Sequence, residues 1–274
     1  MRSSSVAARL LVPLRAGRPP VCHRVASGQA GQLLLLATNH TAEDREYREI
    51  HTACSSRRPS DSLQTFAFRG TRTTSQRIRD PAKDHLLTPQ NSALIVIDYQ
   101  PVQVTSVASM DRRVLVTNIV SVAGLAKLFK LPVVLSTVNV KTGKNAPTIH
   151  QLQAILPDAE PLDRTTINAW EDEQFVRAVK ATGRKKLIMT ALWTEACLTF
   201  PTLDALREGY EVYPVVDAVG GTSLEAHRAA LERVAQAGAK PISWVQMACE
   251  LQRDWVRGET AARFAEILFA VEGH

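Results

Sequence analysis

From residue 88 onward, short runs of consecutive apolar residues alternate with longer segments in which apolar residues recur every three or four positions. The first run, Ala93-Leu-Ile-Val-Ile-Asp98, lies between Pro89 and Pro101 and ends in a carboxylate. A short unbroken run of this kind is typical of a strand that is buried on both faces. Residues 114–129 then have helical spacing and residues 132–137 form the next apolar run, so the sequence predicts a βαβ unit.

The alternation continues toward the carboxyl end of the chain. Further predicted helices cover 172–180, 195–207 and 223–237, further predicted strands cover 186–190, 211–216 and 240–244, and a closing helical segment follows. Gly183, Gly209 and Gly238 each lie just past a predicted helix, where a left-handed residue commonly ends it. Because right-handed crossovers place helices on both faces of a parallel sheet, this order predicts a three-layer, doubly wound α/β fold with a mostly parallel sheet.

Ligands of such sheets bind beyond the carboxyl ends of the strands, so the residues at those ends are the first functional candidates. No GxxxxGK[ST] or GxGxxG phosphate loop follows a predicted strand. The pair Gly220-Gly221 follows one, but two adjacent glycines are more often a turn than a nucleotide site. The pattern therefore favours chemistry without a cofactor.

The charge of the chain is unevenly distributed. Its formal net charge is +6, but residues 1–84 hold 14 basic and 7 acidic residues, which leaves 19 basic and 20 acidic residues downstream. A phosphate-binding groove needs its positive charge on the folded part, so no nucleic-acid partner is expected. The chain also has no run of the roughly 18 to 20 apolar residues that a membrane-spanning helix requires, so no membrane partner is expected.

The four cysteines, Cys22, Cys54, Cys197 and Cys249, form no CxxC pair and have no paired spacing. Neither a zinc site nor a disulfide framework is therefore predicted. Free thiols in a reducing compartment fit this usage better.

The amino-terminal region differs in composition from the rest. Residues 1–42 contain no acidic residue, and their arginines are interleaved with serine and small apolar residues. This is typical of a transit peptide and predicts a mitochondrial location, whereas a merely disordered extension would leave the protein cytoplasmic. Residues 43–84 are polar and lack periodicity, so they are interpreted as a linker or extension that precedes a single domain at 85–274.

Cys197 stands in Met189-Thr-Ala-Leu-Trp-Thr-Glu-Ala-Cys-Leu-Thr-Phe-Pro201, directly after a predicted strand and within the first turn of the next predicted helix. The unpaired N–H groups and the dipole of a helix N-terminus favour a thiolate, lower the pKa of a thiol and can receive an oxyanion. A small cysteine that fills space between helix and sheet explains the same position. Position alone therefore leaves both interpretations open.

Asp98 closes the first predicted strand, at the edge of an apolar core. It either caps the following segment or has a functional role, for example as the base that takes the proton of a thiol at the end of another strand. Arg164, in Asp163-Arg-Thr-Thr-Ile-Asn-Ala-Trp170, could hold that carboxylate by a fork of hydrogen bonds. The alternative for Arg164 is a solvated surface residue, as most arginines are.

Five stretches, in order from about Ser92 to Trp255, resemble the isochorismatase-like superfamily and most closely its YcaC-like branch. The stretches that carry the resemblance are 93–100, 164–175 with its Ile-Asn-Ala-Trp, Val176-Arg-Ala-Val-Lys-Ala-Thr-Gly183, Thr194-Glu-Ala-Cys-Leu-Thr-Phe-Pro201 and Met247-Ala-Cys-Glu-Leu-Gln-Arg-Asp-Trp255. An ordered set of this kind is more specific than any single motif. It implies the fold of the family and favours Cys197 as a nucleophile.

The resemblance further implies a catalytic triad of Asp98, Arg164 and Cys197. Many members of the superfamily have lysine as the basic member, whereas the YcaC-like branch is similar to this chain in having arginine. Because arginine does not readily give up a proton, its role should be to fix Asp98 or to polarise the substrate. The resemblance also implies a cis peptide bond between Leu192 and Trp193, and an oxyanion hole formed by the backbone N–H groups of Trp193 and Cys197.

Two departures from the family concern the pocket rather than the triad. Ala191 stands where the family often has glycine, and Trp193 is bulkier than many of its counterparts, so the size of the pocket and the substrate are left open. Relatives with nicotinamidase activity have an Asp-and-His metal site shortly after the first aspartate. Here no histidine lies between His85 and His150, so no metal is expected.

Other candidate residues have plainer interpretations. His150 lies in a helix-like segment and is expected at the surface, and Cys249 has apolar neighbours at helical spacing and is expected in the core. Trp170 is the one tryptophan that we expect to bind substrate, although tryptophan is mostly packing material.

These observations lead to two hypotheses for function. The first is a cysteine hydrolase that cleaves a C–N bond of a small amide-type or nitrile-type molecule through a thioester, in which Asp98 serves Cys197 as the base. The second is a catalytically weak oligomeric or partner-binding member of the same fold, which a Cys197 thiol with a pKa of about 8.5 or above would favour. Because the YcaC-like branch forms ring-like assemblies, a homo-oligomer is expected in either case.

Overall fold

The structure is a computed structural model that describes residues 79–270. Its strands are β1 (Ser92–Ile97), β2 (Val133–Val138), β3 (Leu162–Arg164), β4 (Lys186–Ala191) and β5 (Glu211–Pro214). Its helices are α1 (Pro101–Ser106), α2 (Arg112–Leu128), α3 (His150–Ile155), α4 (Glu173–Ala181), α5 (Thr199–Arg207), α6 (Leu224–Gln236), α7 (Trp244–Gln252) and α8 (Ala261–Phe269). A 3₁₀ turn (Ala169–Glu171) precedes α4, and a π-helical turn (Thr194–Leu198) precedes α5.

The five strands form one parallel sheet in the order β3-β2-β1-β4-β5. All residues of β1 and β4 are buried, because both faces of these central strands are covered. The chain moves outward from β1 through β2 to β3 and then returns to the other side of β1 to form β4. The strand order therefore reverses between β1 and β4, and such a switch point opens a crevice at the carboxyl ends of the strands.

Two layers of helices cover the sheet. Alternate residues of β1 point to opposite faces: Leu94 and Val96 join a core cluster with residues of α2, α7 and α8, whereas Ile95 and Ile97 join a second cluster with residues of α4, α5 and α6. The predicted three-layer, doubly wound α/β fold is thereby confirmed.

Two local predictions have different outcomes. Gly183, Gly209 and Gly238 all have positive φ, of 66°, 80° and 106°, as the ends of helices require. The strand predicted at 240–244 is wrong: only Ile242 forms a bridge, to Val215. The side chain of Ser243 accepts a hydrogen bond from the backbone N–H of Gln246 and so starts α7 at the next residue.

The prediction that Cys249 lies in the core is also wrong, because this residue is exposed. The buried residues of α7 recur at helical spacing and are Trp244, Met247, Ala248, Leu251 and Gln252. Cys249 lies on the opposite face of the helix. His150, by contrast, is exposed at the start of α3, as predicted.

A buried lysine fastens the segment before β1 to the amino-terminal edge of the sheet. Lys186 is 4% exposed, and its ammonium group donates to the carbonyl oxygens of Asp84, His85 and Leu86 at 2.8, 2.5 and 3.2 Å. These bonds compensate a charge that would otherwise be costly to bury. The carboxyl ends of the strands lie at the opposite edge of the sheet.

The transit peptide predicted at 1–42 lies outside the described residues, as does most of the linker predicted at 43–84. Both stay predictions, and so does the mitochondrial location. Within the part of the chain that the structure describes, no helix has both the length and the apolar character needed to cross a membrane.

Candidate active site

Asp98 and Cys197 follow the two strands between which the sheet reverses its order. Ile97, the last residue of β1, pairs with Ala191, the last residue of β4. Asp98 follows the first of these directly, and Cys197 lies in the π-helical turn just after the second. The register of two neighbouring strands therefore brings together two residues that are far apart in the sequence.

The backbone around Asp98 turns its carboxylate into the protein. Asp98 has a φ of 62° and is fully buried, and its N–H donates to the carbonyl oxygen of Ser136 at 3.0 Å. A positive φ is uncommon for a residue with a side chain and is often found at functional sites. The N-cap residue of α1 is Gln100, so Asp98 is not the cap of the helix that follows it.

Arg164 holds both oxygens of this carboxylate. Its Nη1 and Nη2 donate to Oδ1 and Oδ2 of Asp98 at 2.7 and 2.8 Å. The same two nitrogens donate to the carbonyl oxygens of Thr137 at 3.1 Å and Ile167 at 3.1 Å. The Arg164 side chain is only 1% exposed, so the surface interpretation is excluded. Two parallel bonds fix the plane of the carboxylate.

Cys197 lies in a π-helical turn rather than in a regular α-helix. In an α-helix, residue 201 would donate its N–H to the carbonyl oxygen of residue 197, but Pro201 has no N–H. At the start of the turn, the N–H of Leu198 reaches back five residues to the carbonyl oxygen of Trp193 at 3.2 Å, which is the π-helical spacing. Turns of this kind are frequent at functional sites.

The Cys197 thiol faces the ion pair. Asp98 and Arg164 both lie within hydrogen-bonding reach of its sulfur, and the thiol donates a weak bond to the Ile167 carbonyl oxygen at 3.8 Å. Only 8% of the residue is exposed. The structure thus brings the three residues of the predicted triad into one buried cluster.

The electrostatics of this cluster reverse one expectation from the sequence. Burial and the adjacent Asp98 carboxylate raise the pKa of Cys197 to about 12, although Arg164 and the backbone N–H of Trp193 act in the opposite direction. The turn therefore does not produce a lowered thiol pKa in the resting protein. Burial also opposes the charge of Arg164, but the hydrogen bonds and charge of Asp98 outweigh it and raise the pKa of the guanidinium.

The backbone of Trp193 also points to the sulfur. Its N–H contacts the Cys197 sulfur, and the Leu192–Trp193 peptide bond is cis, as the resemblance implied. The indole N–H donates to the Ser106 hydroxyl at 2.7 Å, which ties the large ring to α1. Trp193 therefore presents its N–H beside the nucleophile, and its ring to a neighbouring helix.

Trp170 has the surroundings of a packing residue. It is 8% exposed and forms edge contacts with Phe175 and Tyr210. Its indole N–H donates to the Glu208 carboxylate at 2.8 Å. The substrate-binding role of Trp170 stays a prediction.

Three backbone carbonyl groups contribute to this cluster and were not predicted from the sequence. The carbonyl groups of Ser136, Thr137 and Ile167 hold Asp98, Arg164 and the thiol. A backbone carbonyl has no sequence signal of its own, because every residue carries one. Among residues 79–270, no group of three or more His, Cys, Asp or Glu side chains is placed to hold a metal ion.

Comparison with known proteins identifies the family of the chain. The chain is 39% identical to the probable hydrolase YcaC of Escherichia coli K12 over 170 residues, which are 62% of this chain and 81% of that protein. The structure of E. coli YcaC, an octameric hydrolase of unknown specificity, is 34% identical with a TM-score of 0.62 and covers 69% of this chain and 97% of its own.

A second YcaC structure, from Pseudomonas aeruginosa, contains hexane-2,5-diol and covalent acrylamide. It is 33% identical to this chain with a TM-score of 0.61 and covers 69% of this chain and 98% of its own. The profile of the isochorismatase domain matches residues 92–246, which are more than half of the chain and include all three residues of the cluster. The chain therefore belongs to the isochorismatase family of hydrolases.

Proposed function

We propose that this protein is a cysteine hydrolase that cleaves the C–N bond of a small amide through a thioester on Cys197. The observation that carries the proposal is the buried contact between the Cys197 thiol and the Asp98 carboxylate, whose two oxygens are both held by Arg164. A nucleophile, its base and a group that orients the base are the parts that covalent hydrolysis requires.

In the first half of the reaction, Asp98 takes the proton of the thiol as the sulfur attacks the carbonyl carbon. The negative charge of the tetrahedral intermediate falls on the former carbonyl oxygen, where the N–H groups of Trp193 and Cys197 stabilise it. Asp98 then gives its proton to the nitrogen, the C–N bond breaks and the amine leaves. A nitrile would form a thioimidate at the same step.

In the second half, Asp98 takes a proton from a water molecule that attacks the thioester carbon. The C–S bond breaks, the carboxylic acid leaves and the thiol regains its proton from Asp98. Arg164 cannot exchange protons at neutral pH and instead keeps the carboxylate in one orientation through both halves. Asp98 is fully buried, and a buried carboxylate is costly without a counter-charge, so the base needs a partner such as Arg164.

The raised pKa of Cys197 is compatible with this scheme. The carboxylate that raises the pKa of the thiol is also the group that receives its proton, so the thiolate forms only as attack begins. The structure of P. aeruginosa YcaC with covalent acrylamide supports small amides as the class of ligand to try first.

A trapping experiment tests the thioester. When the protein is incubated with a panel of small primary amides and hydroxylamine, we expect release of ammonia together with formation of the corresponding hydroxamate, because hydroxylamine intercepts a thioester faster than water does. Ammonia and hydroxamate are measured separately, with an enzyme-free control for each amide. Ammonia without any hydroxamate would indicate direct attack by water and contradict the scheme.

A second candidate function is a catalytically weak oligomeric or partner-binding protein. The same raised thiol pKa favours it, because a thiol that stays protonated is a poor nucleophile. The two candidates differ in what Asp98 does: a base is required for turnover of an amide, whereas a merely repulsive carboxylate only keeps the thiol protonated. Substitution of Asp98 therefore separates them.

We also propose that the protein self-associates. E. coli YcaC is octameric, and several large apolar side chains of this chain are exposed, among them Ile167 (66%), Trp255 (63%) and Val256 (73%). We expect native mass spectrometry to detect more than one copy per particle at micromolar concentration. A purely monomeric species over that range would contradict the proposal.

A further inference from the structure

The turn that carries Cys197 is held both by bonds of its own segment and by contacts from outside it. Its N-cap residue, Trp193, makes no side-chain capping bond. Ala196 and Leu198 donate backbone bonds to the Trp193 carbonyl, both at 3.2 Å, and the Thr199 hydroxyl donates to the Thr194 carbonyl at 2.7 Å. Since the two proposed oxyanion donors, Trp193 and Cys197, lie on this turn, whatever fixes it also aims them.

Glu195 lies midway between those two donors and reaches out of the turn. Its Oε1 accepts hydrogen bonds from the backbone N–H of Thr222 at 3.0 Å and from the Thr222 hydroxyl at 2.5 Å. Thr222 belongs to the loop after β5. The carbonyl oxygen of Gly220 in the same loop accepts a hydrogen bond from the N–H of Thr194 at 2.9 Å. One carboxylate oxygen therefore ties the middle of the turn to a neighbouring loop.

The loop is shaped to receive this carboxylate. A Cβ atom at Gly221 would lie 2.7 Å from Oε2 of Glu195 and 3.1 Å from Cβ of His227, so a larger residue there would displace the carboxylate from its present position. The N–H of Gly221 donates to the Ser109 hydroxyl at 2.9 Å, which holds the loop from its other side. The turn predicted at the glycine pair is wrong, because Gly220 forms an isolated bridge with Leu192 and Gly221 lies in irregular backbone that makes space for Glu195.

The second oxygen of Glu195 argues against simple packing. Oε2 is buried and has no hydrogen-bond partner among residues 79–270. A buried carboxylate oxygen without a partner reduces stability, and such groups are often found where function requires them. A threonine or alanine at this position would avoid that loss but could not reach Thr222.

We propose that Glu195 is a positioning residue for the reaction: through Thr222 it fixes the π-helical turn so that the N–H groups of Trp193 and Cys197 point to the same oxyanion. This inference rests on the proposed function, because it concerns the oxyanion of that reaction. Glu195 itself does not touch the reacting atoms. Its loss should therefore weaken stabilisation of the oxyanion without removing the nucleophile.

Two thiol reagents distinguish these effects. When acrylamide reacts, sulfur bonds to the terminal alkene carbon, the alkene electrons move onto the carbonyl oxygen, and the thiol proton ends on the α-carbon. When iodoacetamide reacts, sulfur displaces iodide and no charge develops on the carbonyl oxygen. The ratio of the acrylamide rate to the iodoacetamide rate therefore reports oxyanion stabilisation, largely independent of the ionisation of the thiol.

The experiment measures both rates at Cys197 by peptide mass spectrometry. In Glu195→Ala we expect the ratio to fall about ten-fold or more, because a displaced oxyanion donor costs one to three orders of magnitude. Glu195→Gln, which keeps an oxygen for Thr222, should recover most of the ratio. Glu225→Ala, which removes an exposed carboxylate of α6, should leave the ratio unchanged.

Two further measurements make each outcome decisive. Thr222→Val removes one of the two bonds to Glu195 while keeping its carboxylate, and it should lower the ratio in the same direction even if Glu195→Ala folds poorly. Hydrogen exchange of the backbone amides of residues 193–199 should be faster in Glu195→Ala than in the wild type.

A ratio within about two-fold of wild type in Glu195→Ala and Thr222→Val would overturn the positioning role. If wild-type Cys197 reacts with neither reagent, the proposed function fails. Hydrogen exchange then decides the inference, and unchanged exchange of residues 193–199 in Glu195→Ala would overturn it.

Discussion

Replacing Cys197 by alanine is expected to lower hydrolysis of any amide that the wild type cleaves by more than about a thousand-fold, since loss of a nucleophile typically removes most of an enzyme's rate enhancement. The hydroxamate formed in the presence of hydroxylamine should disappear as well. The measurement is ammonia release under saturating amide, with the protein concentration raised to detect residual turnover.

The chain offers a matched control in Cys249, which is an exposed cysteine on α7. Cys249→Ala should retain wild-type turnover, and both variants should have the circular dichroism spectrum and unfolding midpoint of the wild type within a few degrees. Turnover that survives in Cys197→Ala would show that the thiol is not the nucleophile. The fold would still stand.

Replacing Asp98 by asparagine is expected to change reactivity and turnover in opposite directions. The Asp98 carboxylate helps to raise the pKa of Cys197 to about 12, and Arg164 acts in the opposite direction. Removal of the carboxylate charge therefore lowers the pKa of the thiol, and the pH midpoint of alkylation by iodoacetamide should move down. Hydrolysis should fall by about a hundred-fold to ten thousand-fold, because the base is lost.

The measurements are the pH profile of alkylation at Cys197, by peptide mass spectrometry, and amide turnover at fixed pH. Alkylation that becomes easier while turnover is lost identifies Asp98 as a base. If turnover is absent in the wild type too, and Asp98→Asn only makes the thiol more reactive, the carboxylate merely suppresses the thiol and the weak or partner-binding candidate is favoured. A midpoint that moves up in Asp98→Asn would contradict the electrostatics described above.

The same substitution also tests the buried ion pair. Asp98→Asn leaves the Arg164 guanidinium, which is 1% exposed, without its counter-charge. Breaking a buried pair in this way costs about 3 to 5 kcal/mol of the free energy of unfolding. The double variant Asp98→Asn/Arg164→Met removes both charges and should cost less than the sum of the two single changes, as measured by urea unfolding.

A large part of this fold follows from local patterns. The apolar run of β1 and the periodicity of α2 predict their elements within two residues, because burial on two faces and burial on one helical face leave different spacings. The shortest elements do not leave such a signal. β3 has only three residues and is assigned through its pairing with β2, whereas Ser243 and its capping bond decide that residues 244–252 form a helix.

The candidate site, too, was predicted in part from the sequence and decided in part by the structure. Sequence identified Asp98 and Cys197 as strand-end candidates, because chemistry collects at the carboxyl edge of a parallel sheet. The sequence could not decide whether Asp98 is only a helix cap or whether Cys197 is only a packing residue. The structure decides against capping, and it shows a thiol that is both buried and in contact with a carboxylate. It also reverses the expected direction of the thiol pKa, because desolvation and Asp98 outweigh Arg164 and the backbone N–H of Trp193.

By itself, the sequence determined the doubly wound architecture, the ends of β1 and β4 and the kinds of side chain available there, since periodicity and side-chain chemistry are local properties. Only the tertiary structure decided that Arg164, 66 residues from Asp98 in the chain, reaches across β2 to hold it. Only the tertiary structure showed that Glu195 ties the π-helical turn to Thr222. Both pairings depend on strand order, burial and loop shape, and these arise only when distant segments pack together.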